Sequence, residues 1–266
     1  MLEPIRPKLA IIQPVVFVLD GSASMDWHVG TKSKSSLVRD TLRFIVNYFK
    51  SGERSKREGD FSGDYIYIQI IAFDIQPVKY FPDFVRISDL NQDQIESPTD
   101  KIRNTLRRSN KGTRISLGLR AARESIESFI IKNELDFRQI YKTAIILLSD
   151  GCTNKEDRQP LLQLSEELLK LYQVFVIEFG ESGQKAETPD QRRDFHRQSC
   201  PEILEKVASP LDTGLLQKIK RVGQKIDSQV KVEELFHGNR GYIRTLNEKH
   251  LRVIFITMTT LQMIKK

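Results

Sequence analysis

The strongest constraint on the fold is a repeated alternation of two kinds of segment along the chain. Short runs rich in β-branched and aromatic residues, at 15–19, 65–73 and 144–148, have the length of buried strands. The segments between them are longer, and their apolar residues recur at helical spacing, as at 35–50 and 117–129. This order predicts an α/β protein with a mostly parallel sheet and helices on both faces.

The same reasoning extends the pattern along the rest of the chain. A turn at 74–77 leads into a short run that we interpret as an antiparallel edge strand. We expect further strands at 174–179 and 241–246, and helices at 161–171, 201–207, 215–236 and 249–264. Residues 181–210 interrupt the rhythm and are interpreted as an insertion or mobile loop. No change in composition marks a linker, so we predict one domain over residues 1–266.

Composition narrows the classes of protein that fit the sequence. The formal net charge is +7 and the pI is about 9.3, which favours acidic partners, although charges of both signs are spread along the chain. Two cysteines cannot form a disulfide framework, which points to a reducing compartment. The sequence also has no signal-peptide pattern and no apolar run long enough to span a bilayer. We therefore expect a cytoplasmic protein with no membrane partner.

Two predicted strands end on a carboxylate. Asp20 follows the first strand and Asp150 follows the strand at 144–148, while Ser22 and Ser24 occupy alternate positions after Asp20. In an open parallel sheet, ligands bind beyond the carboxyl ends of the strands. If the loop after Asp20 is extended, its alternate side chains point to one side. Carboxylate and hydroxyl oxygens suit a hard cation such as Mg²⁺.

A third loop, at residues 110–115, is a candidate to complete this site. Gly112 permits a sharp turn, and Thr113 offers a hydroxyl just before a predicted helix. Together the three loops would supply oxygens from Asp20, Ser22, Ser24, Thr113 and Asp150. A cap or turn role explains each of these residues singly, but it explains the full set less well.

These three motifs, in this element order, resemble the von Willebrand factor type A (VWA) domain with its metal-ion-dependent adhesion site (MIDAS), from about residue 14 to the C-terminus. The resemblance implies a three-layer, doubly wound Rossmann-like fold and a non-catalytic protein-interaction module. It implies that Ser22, Ser24 and Thr113 ligate Mg²⁺ or Mn²⁺ directly, whereas Asp20 and Asp150 act largely through water. Within the family, the chain resembles the intracellular bacterial members, such as those associated with tellurium resistance, more than the secreted adhesins.

The resemblance also implies a partner protein whose Glu or Asp carboxylate completes the coordination of the metal. Five residues lie on the same loops by sequence and would surround the metal with an aromatic anchor and positive charge: Trp27, His28, Lys111, Arg114 and Lys155. Such a rim would match an acidic partner.

Two other functions have some support in the sequence. A phosphotransferase of the haloacid-dehalogenase type would use Asp20 as its nucleophile, but the Asp-x-Asp pattern of that chemistry has its second acid where this chain has Ser22. A nucleic-acid-associated protein would use the basic surface, although the basic run at 54–57 lacks interleaved aromatic residues. Glu178 lies near the end of a predicted strand, and we interpret it as a paired or solvated carboxylate outside the site.

Overall fold

A mostly parallel sheet is the centre of the fold in the computed structural model, which describes residues 12–50, 65–106, 113–135, 143–150, 153–179, 201–245 and 247–261. The strands are β1 Gln13–Asp20, β2 His28–Val29, β3 Lys32–Ser33, β4 Ile66–Phe73, β5 Pro77–Lys79, β6 Val85–Arg86, β7 Ala144–Ser149, β8 Gln173–Glu178 and β9 Tyr242–Arg244. Strands β2 and β3 form a separate small hairpin.

The main sheet has the strand order β5-β4-β1-β7-β8-β9, and β6 also pairs with β4. The neighbouring strands from β4 through β1, β7 and β8 to β9 all pair in parallel. Strands β5 and β6 run antiparallel to β4. The predicted mostly parallel sheet and its antiparallel edge strand are therefore confirmed. The two-residue strand β6 was not predicted, because so short a run carries no periodic signal.

Helices cover both faces of the sheet, as the sequence predicted. Their bounds are α1 Lys34–Lys50, α2 Pro98–Thr105, α3 Ile115–Lys132, α4 Arg158–Leu171, α5 Pro201–Val207, α6 Thr213–Ile226 and α7 Glu248–Thr260. None of the helices in the described ranges has both the length and the apolar character needed to cross a bilayer.

The predicted single helix over 215–236 is wrong. Helix α6 ends at Ile226, and a separate 3-10 turn spans Val232–Leu235. The side chain of Asp227 accepts a hydrogen bond from the backbone N–H of Gln229, a local bond that competes with helix continuation. The chain then folds back so that Val232 packs on Gly223, where an added Cβ would lie 2.6 Å from the Val232 Cγ2 atom.

Part of the interval interpreted as an insertion belongs to the folded core. Residues 181–200 lie outside the described residues. Helix α5, however, buries Leu204 and Val207 in the core that it shares with α3 and α4. Ser209 then bonds to β8 and to the residue before β9, since its N–H donates to the Val174 carbonyl and its carbonyl accepts from the Gly241 N–H.

The core consists of two apolar layers, one on each face of the sheet. Along β1, Val15, Phe17 and Leu19 face the layer that contains α1, α6 and α7. Val16 and Val18 face the opposite layer with α3, α4 and α5. This alternation is the two-residue period of a strand, and burial on both faces explains why the central strands read as continuous apolar runs.

The chain reverses its direction of winding at β1. From β1 it passes through α1 to β4 on one side, and later returns through α3 to β7 on the other side. The loop after β1 leads to α1 on one face of the sheet, and the loop after β7 leads to α4 on the opposite face. The loops that leave β1 and β7 therefore diverge, and ligand sites of open α/β sheets form at such switch points.

Candidate metal-binding site

Asp20 ends β1 at the switch point and is fully buried. Its Oδ1 atom accepts a hydrogen bond of 2.9 Å from the backbone N–H of Ser22, which closes the loop after β1. Its Oδ2 atom accepts a bond of 2.7 Å from the hydroxyl of Ser149, the last residue of β7. The carboxylate thus links the ends of the two neighbouring strands.

The two serine hydroxyls after Asp20 lie side by side. Ser22 is extended, with φ −65° and ψ 166°, but the chain then enters a 3-10 turn over Ala23–Asp26. The extended loop expected from the sequence therefore stops at Ser22. The turn nevertheless brings the Ser24 Oγ atom to 3.0 Å from the Ser22 Oγ atom, so two adjacent oxygens are available to one cation.

Gly21 allows this loop to pass close to α2. Its N–H donates to the carbonyl of Phe73 at the end of β4, over 2.7 Å. A Cβ at this position would lie 2.5 Å from the Ile102 Cγ1 atom and 2.9 Å from the Pro98 carbonyl oxygen. The absence of a side chain is therefore required by packing, because contacts under 3 Å with backbone cannot be relieved by a rotamer change.

Asp150 lies directly after β7 and is also buried. Its Oδ2 atom is 3.4 Å from the Nζ atom of Lys34, a contact that the sequence did not predict. Its Oδ1 atom is buried and has no hydrogen-bond partner among the described residues. A buried carboxylate oxygen without a donor is costly, and a hard cation or its bound water is the kind of group that satisfies it.

Burial and the neighbouring Asp150 both disfavour the charged form of Asp20. Burial, followed by repulsion from Asp150, raises the pKa of Asp20 to about 7, against the smaller opposing effect of hydrogen bonds from Ser22 and Ser149. A divalent cation between such groups would remove this penalty, because an adjacent positive charge favours the ionised form. The residues present therefore fit a divalent cation electrostatically as well as chemically.

The third loop is anchored to the segment after Asp150 and to the residue that follows β4. The carbonyl oxygen of Thr113 accepts from the backbone N–H of Asn154 over 2.9 Å and from the Thr153 hydroxyl over 3.3 Å. On its other side, the N–H of Arg114 donates to the Asp74 carbonyl over 2.8 Å, just beyond β4. Thr113 is buried, and the segments bonded to it follow the carboxyl ends of β4 and β7, the edge at which Asp20 and Asp150 lie.

Asp157 is a structural part of the site that sequence reasoning missed. Its carboxylate accepts from the hydroxyl and from the backbone N–H of Ser116, the latter over 3.0 Å, at the start of α3. It also accepts from the Thr153 hydroxyl over 3.0 Å. This buried carboxylate ties the Thr113 loop to the segment after Asp150. Its only sequence signal is an acidic residue at the start of a helix, which is common.

Replacement of Asp157 with Ala is expected to lower the free energy of unfolding by about 2–3 kcal/mol, because buried donors on Ser116 and Thr153 would lose their acceptor. Urea unfolding with and without Mg²⁺ measures both stability and metal response. The exposed carboxylate variant Asp93→Ala is the control. If Asp157→Ala matched this control in stability, the proposed link between the two loops would be wrong.

The predicted rim residues occupy different environments. Trp27 is half-buried, and its ring centroid lies 5.6 Å from the Lys34 Nζ atom. His28, Arg114 and Lys155 are exposed. Lys111 lies outside the described residues. Their contact with a partner remains a prediction.

Other acidic groups do not form a competing metal centre in the described ranges. No group of three or more His, Cys, Asp or Glu side chains that could hold a metal ion occurs there. Glu178 is fully buried at the end of β8, where it accepts from the Tyr242 hydroxyl and pairs with Arg244 at 3.4 Å. It therefore has a structural role in joining β8 to β9.

Comparison with known proteins links the strand-end motifs to one family. A sequence model of the von Willebrand factor type A domain matches residues 15–153, about half of the chain, and this interval contains Asp20, Ser22, Ser24, Thr113 and Asp150. No curated protein matches the sequence.

Solved structures match over nearly the whole chain. Proximal thread matrix protein 1 from the mussel byssus has a TM-score of 0.50 at 15% identity, with 95% of this chain and 48% of that chain covered. A von Willebrand factor type A protein from Catenulispora acidiphila has a TM-score of 0.52 at 12% identity, with coverages of 94% and 42%. The PilB minor pilin from Streptococcus sanguinis has a TM-score of 0.53 at 14% identity, with coverages of 97% and 63%.

Because the identities are low, these likenesses establish the fold alone. The chain spans about half the length of the mussel and Catenulispora proteins that it matches. Another structure of the mussel protein, which matches with a TM-score of 0.50, has zinc in its MIDAS motif.

Proposed function

The chain belongs to the von Willebrand factor type A domain family, and on that basis we propose that it is a protein-interaction module whose divalent cation is held by Asp20, Ser22, Ser24, Thr113 and Asp150. In this proposal the hydroxyls ligate Mg²⁺ or Mn²⁺, and the two carboxylates act through water. The finer placement among tellurium-resistance relatives stays a prediction.

One observation supports the metal site above all others. Asp20 and Asp150 are both almost completely buried at the switch point, and the Asp150 Oδ1 atom has no donor among the described residues. Two buried carboxylates with so few counter-charges are costly to maintain. The cost is understandable if the folded chain uses them to hold a cation.

The donor set also supports an acidic ligand on the partner. Serine and threonine hydroxyls are neutral, so they leave most of the 2+ charge of a cation uncompensated. A bound cation would supply an electrophilic position for an incoming Glu or Asp carboxylate. The exposed side chains of Arg114 and Lys155 beside the site, and the net charge of +7, favour the same acidic partner.

We further propose that residues 1–266 form one domain. The C-terminal part of the chain supplies β9, which extends the sheet beside β8, and α7, which packs on β1 and β7. Neither half would have a complete core alone.

The phosphotransferase alternative is less well supported. A nucleophilic carboxylate needs an oxygen directed at substrate, whereas both oxygens of Asp20 accept hydrogen bonds from Ser22 and Ser149. The residue in the general-acid position is Ser22, which cannot supply that proton at neutral pH. The non-catalytic proposal explains the same residues without either difficulty.

The Ser22→Ala variant tests the metal site. We expect the wild type to gain roughly 2.7 kcal/mol of stability when Mg²⁺ or Mn²⁺ is present at about a hundred times its dissociation constant, and the variant to gain almost none. Differential scanning calorimetry with EDTA, and then with excess metal, measures this response. Ser125→Ala removes another buried hydroxyl, which bonds within α3 far from the metal loops, and is the matched control.

Three results would separate the alternatives. A metal response in wild type and Ser125→Ala, but not in Ser22→Ala, supports the site. An equal response in all three proteins would place the metal elsewhere and overturn the assignment. Binding to nucleic acid that falls steeply with salt and does not change in Ser22→Ala would favour the basic-surface alternative.

A further inference from the structure

Lys34 is a buried cation at the candidate metal site. It is the first residue of α1, and its side chain is 5% exposed, although lysine is almost never fully buried unless it is paired. Its Nζ atom lies 3.4 Å from the Oδ2 atom of Asp150, whose side chain is 1% exposed. This ion pair therefore has one member in the proposed ligand set.

The fold holds Lys34 there against an electrostatic cost. The N-terminus of a helix carries partial positive charge, so a lysine in the first turn of α1 is unfavourable on local grounds. Its backbone N–H donates to the Trp27 carbonyl over 3.0 Å, and its Nζ atom lies 5.6 Å from the Trp27 ring centroid. Asp150 supplies negative charge that compensates the ammonium.

We propose that Lys34 is a tethered counter-cation, which pairs with Asp150 in the metal-free protein and competes with the divalent cation for that carboxylate. This inference rests on the proposed metal site and adds a means by which the chain limits its own metal affinity. A fixed positive charge beside a cation site weakens binding of a second cation, and the effect is large where both are buried. Metal binding must therefore displace the ammonium from the Asp150 carboxylate.

Removal of this charge is expected to strengthen metal binding. We expect Lys34→Met to bind Mg²⁺ and Mn²⁺ at least about tenfold more tightly than the wild type, since methionine keeps the apolar stem and lacks the charge. Isothermal titration calorimetry with the metal chlorides on the full chain measures this directly. Lys34→Arg keeps the charge and is expected to show no gain.

Lys32→Met is the matched control. Lys32 precedes Lys34 by two residues and carries the same charge, but its Nζ atom contacts Asp40 at 2.8 Å and Glu248 at 3.4 Å, and its side chain is 42% exposed. Solvent screens its charge, so we expect its removal to change metal affinity less than about threefold.

Fluorescence of the sole tryptophan gives a second readout, which can be measured on the wild type. Trp27 is the one tryptophan of the chain, and the Lys34 ammonium is close to its ring. If metal displaces the ammonium, the emission of Trp27 should change as the site fills, and this change should be small in Lys34→Met. Calorimetric binding to the wild type without any change in emission would overturn the displacement, even if Lys34→Met failed to fold.

The outcomes separate this inference from the metal site itself. Tighter binding by Lys34→Met than by wild type and Lys32→Met supports it, as does binding by Lys34→Met alone. Equal or weaker binding by Lys34→Met, with clear binding by the wild type, overturns the role of Lys34 and leaves the metal site intact. Failure of wild type and both methionine variants to bind either metal overturns the metal site, and this inference with it.

Discussion

The Asp20→Asn variant is expected to be more stable than the wild type without metal, and to lose its stabilisation by Mg²⁺. Asparagine can accept the Ser22 N–H through its oxygen and donate to the Ser149 hydroxyl, so it keeps the loop geometry. It removes a buried charge that repels Asp150. The variant would thus separate the structural role of this position from its role toward a cation.

The pH dependence of this difference follows from the raised pKa of Asp20. The carboxyl titrates at about 7 in the folded protein and near 3.8 when unfolded. Between these values the folded state binds more protons at Asp20, so the contribution of this group to wild-type stability is greatest below pH 3.8 and falls until the pH passes 7. The Asp20→Asn variant has no carboxyl at this position, so its stability does not fall for this reason. Its advantage should grow from pH 5 to pH 8, toward roughly 4 kcal/mol, because each pKa unit corresponds to about 1.4 kcal/mol.

Urea unfolding at several pH values in EDTA, repeated with excess Mg²⁺, tests both parts of this prediction. The exposed variant Asp93→Asn controls for loss of a negative charge. In Mg²⁺ at pH 8, the wild type should recover much of the difference and the variant should not. A variant that was less stable than the wild type at pH 8 in EDTA would show that the Asp20 charge is not a cost to the fold.

The sequence allowed most of the sheet to be predicted because its central strands are buried on both faces. Such strands give unbroken apolar runs, as at 15–19 and 144–148. The position of β1 between β4 and β7 was not predicted and comes from the structure. The error over 215–236 has a different origin. Apolar spacing alone cannot show that Val232 turns back onto Gly223, because that contact is set by tertiary packing.

For the candidate site, the sequence predicts the types of ligand but not the buried residues around them. Strand-end Asp20 and Asp150, with the hydroxyls of Ser22 and Ser24, have a spacing that indicates cation chemistry. Lys34 and Asp157 carry no comparable signal, because a lysine or an aspartate at the start of a helix is ordinarily solvated or a cap. Their importance comes from burial against loops that are distant in sequence. Lys34 and Asp150, for example, are 116 residues apart.

The Phe255→Ala variant should show the largest loss of stability, because α7 closes the core beneath the site. Phe255 is fully buried, with its ring centroid 5.3 Å from that of Phe17 on β1. Every residue of α7 from Val253 to Thr260 is buried, so the surroundings have little room to collapse into the cavity. We expect a loss of about 3–5 kcal/mol, typical of a core Phe→Ala change.

Thermal and urea unfolding in EDTA measure this loss, with Ile131→Ala as the control because Ile131 is 76% exposed on α3 and should change stability by less than about 0.5 kcal/mol. The stabilisation by Mg²⁺ should persist in Phe255→Ala, since the ligand residues lie on the loops beyond the strands. A loss below about 1 kcal/mol would mean that α7 contributes little to the core. Loss of the metal response in a folded variant would instead mean that the position of α7 is coupled to the metal loops through β1.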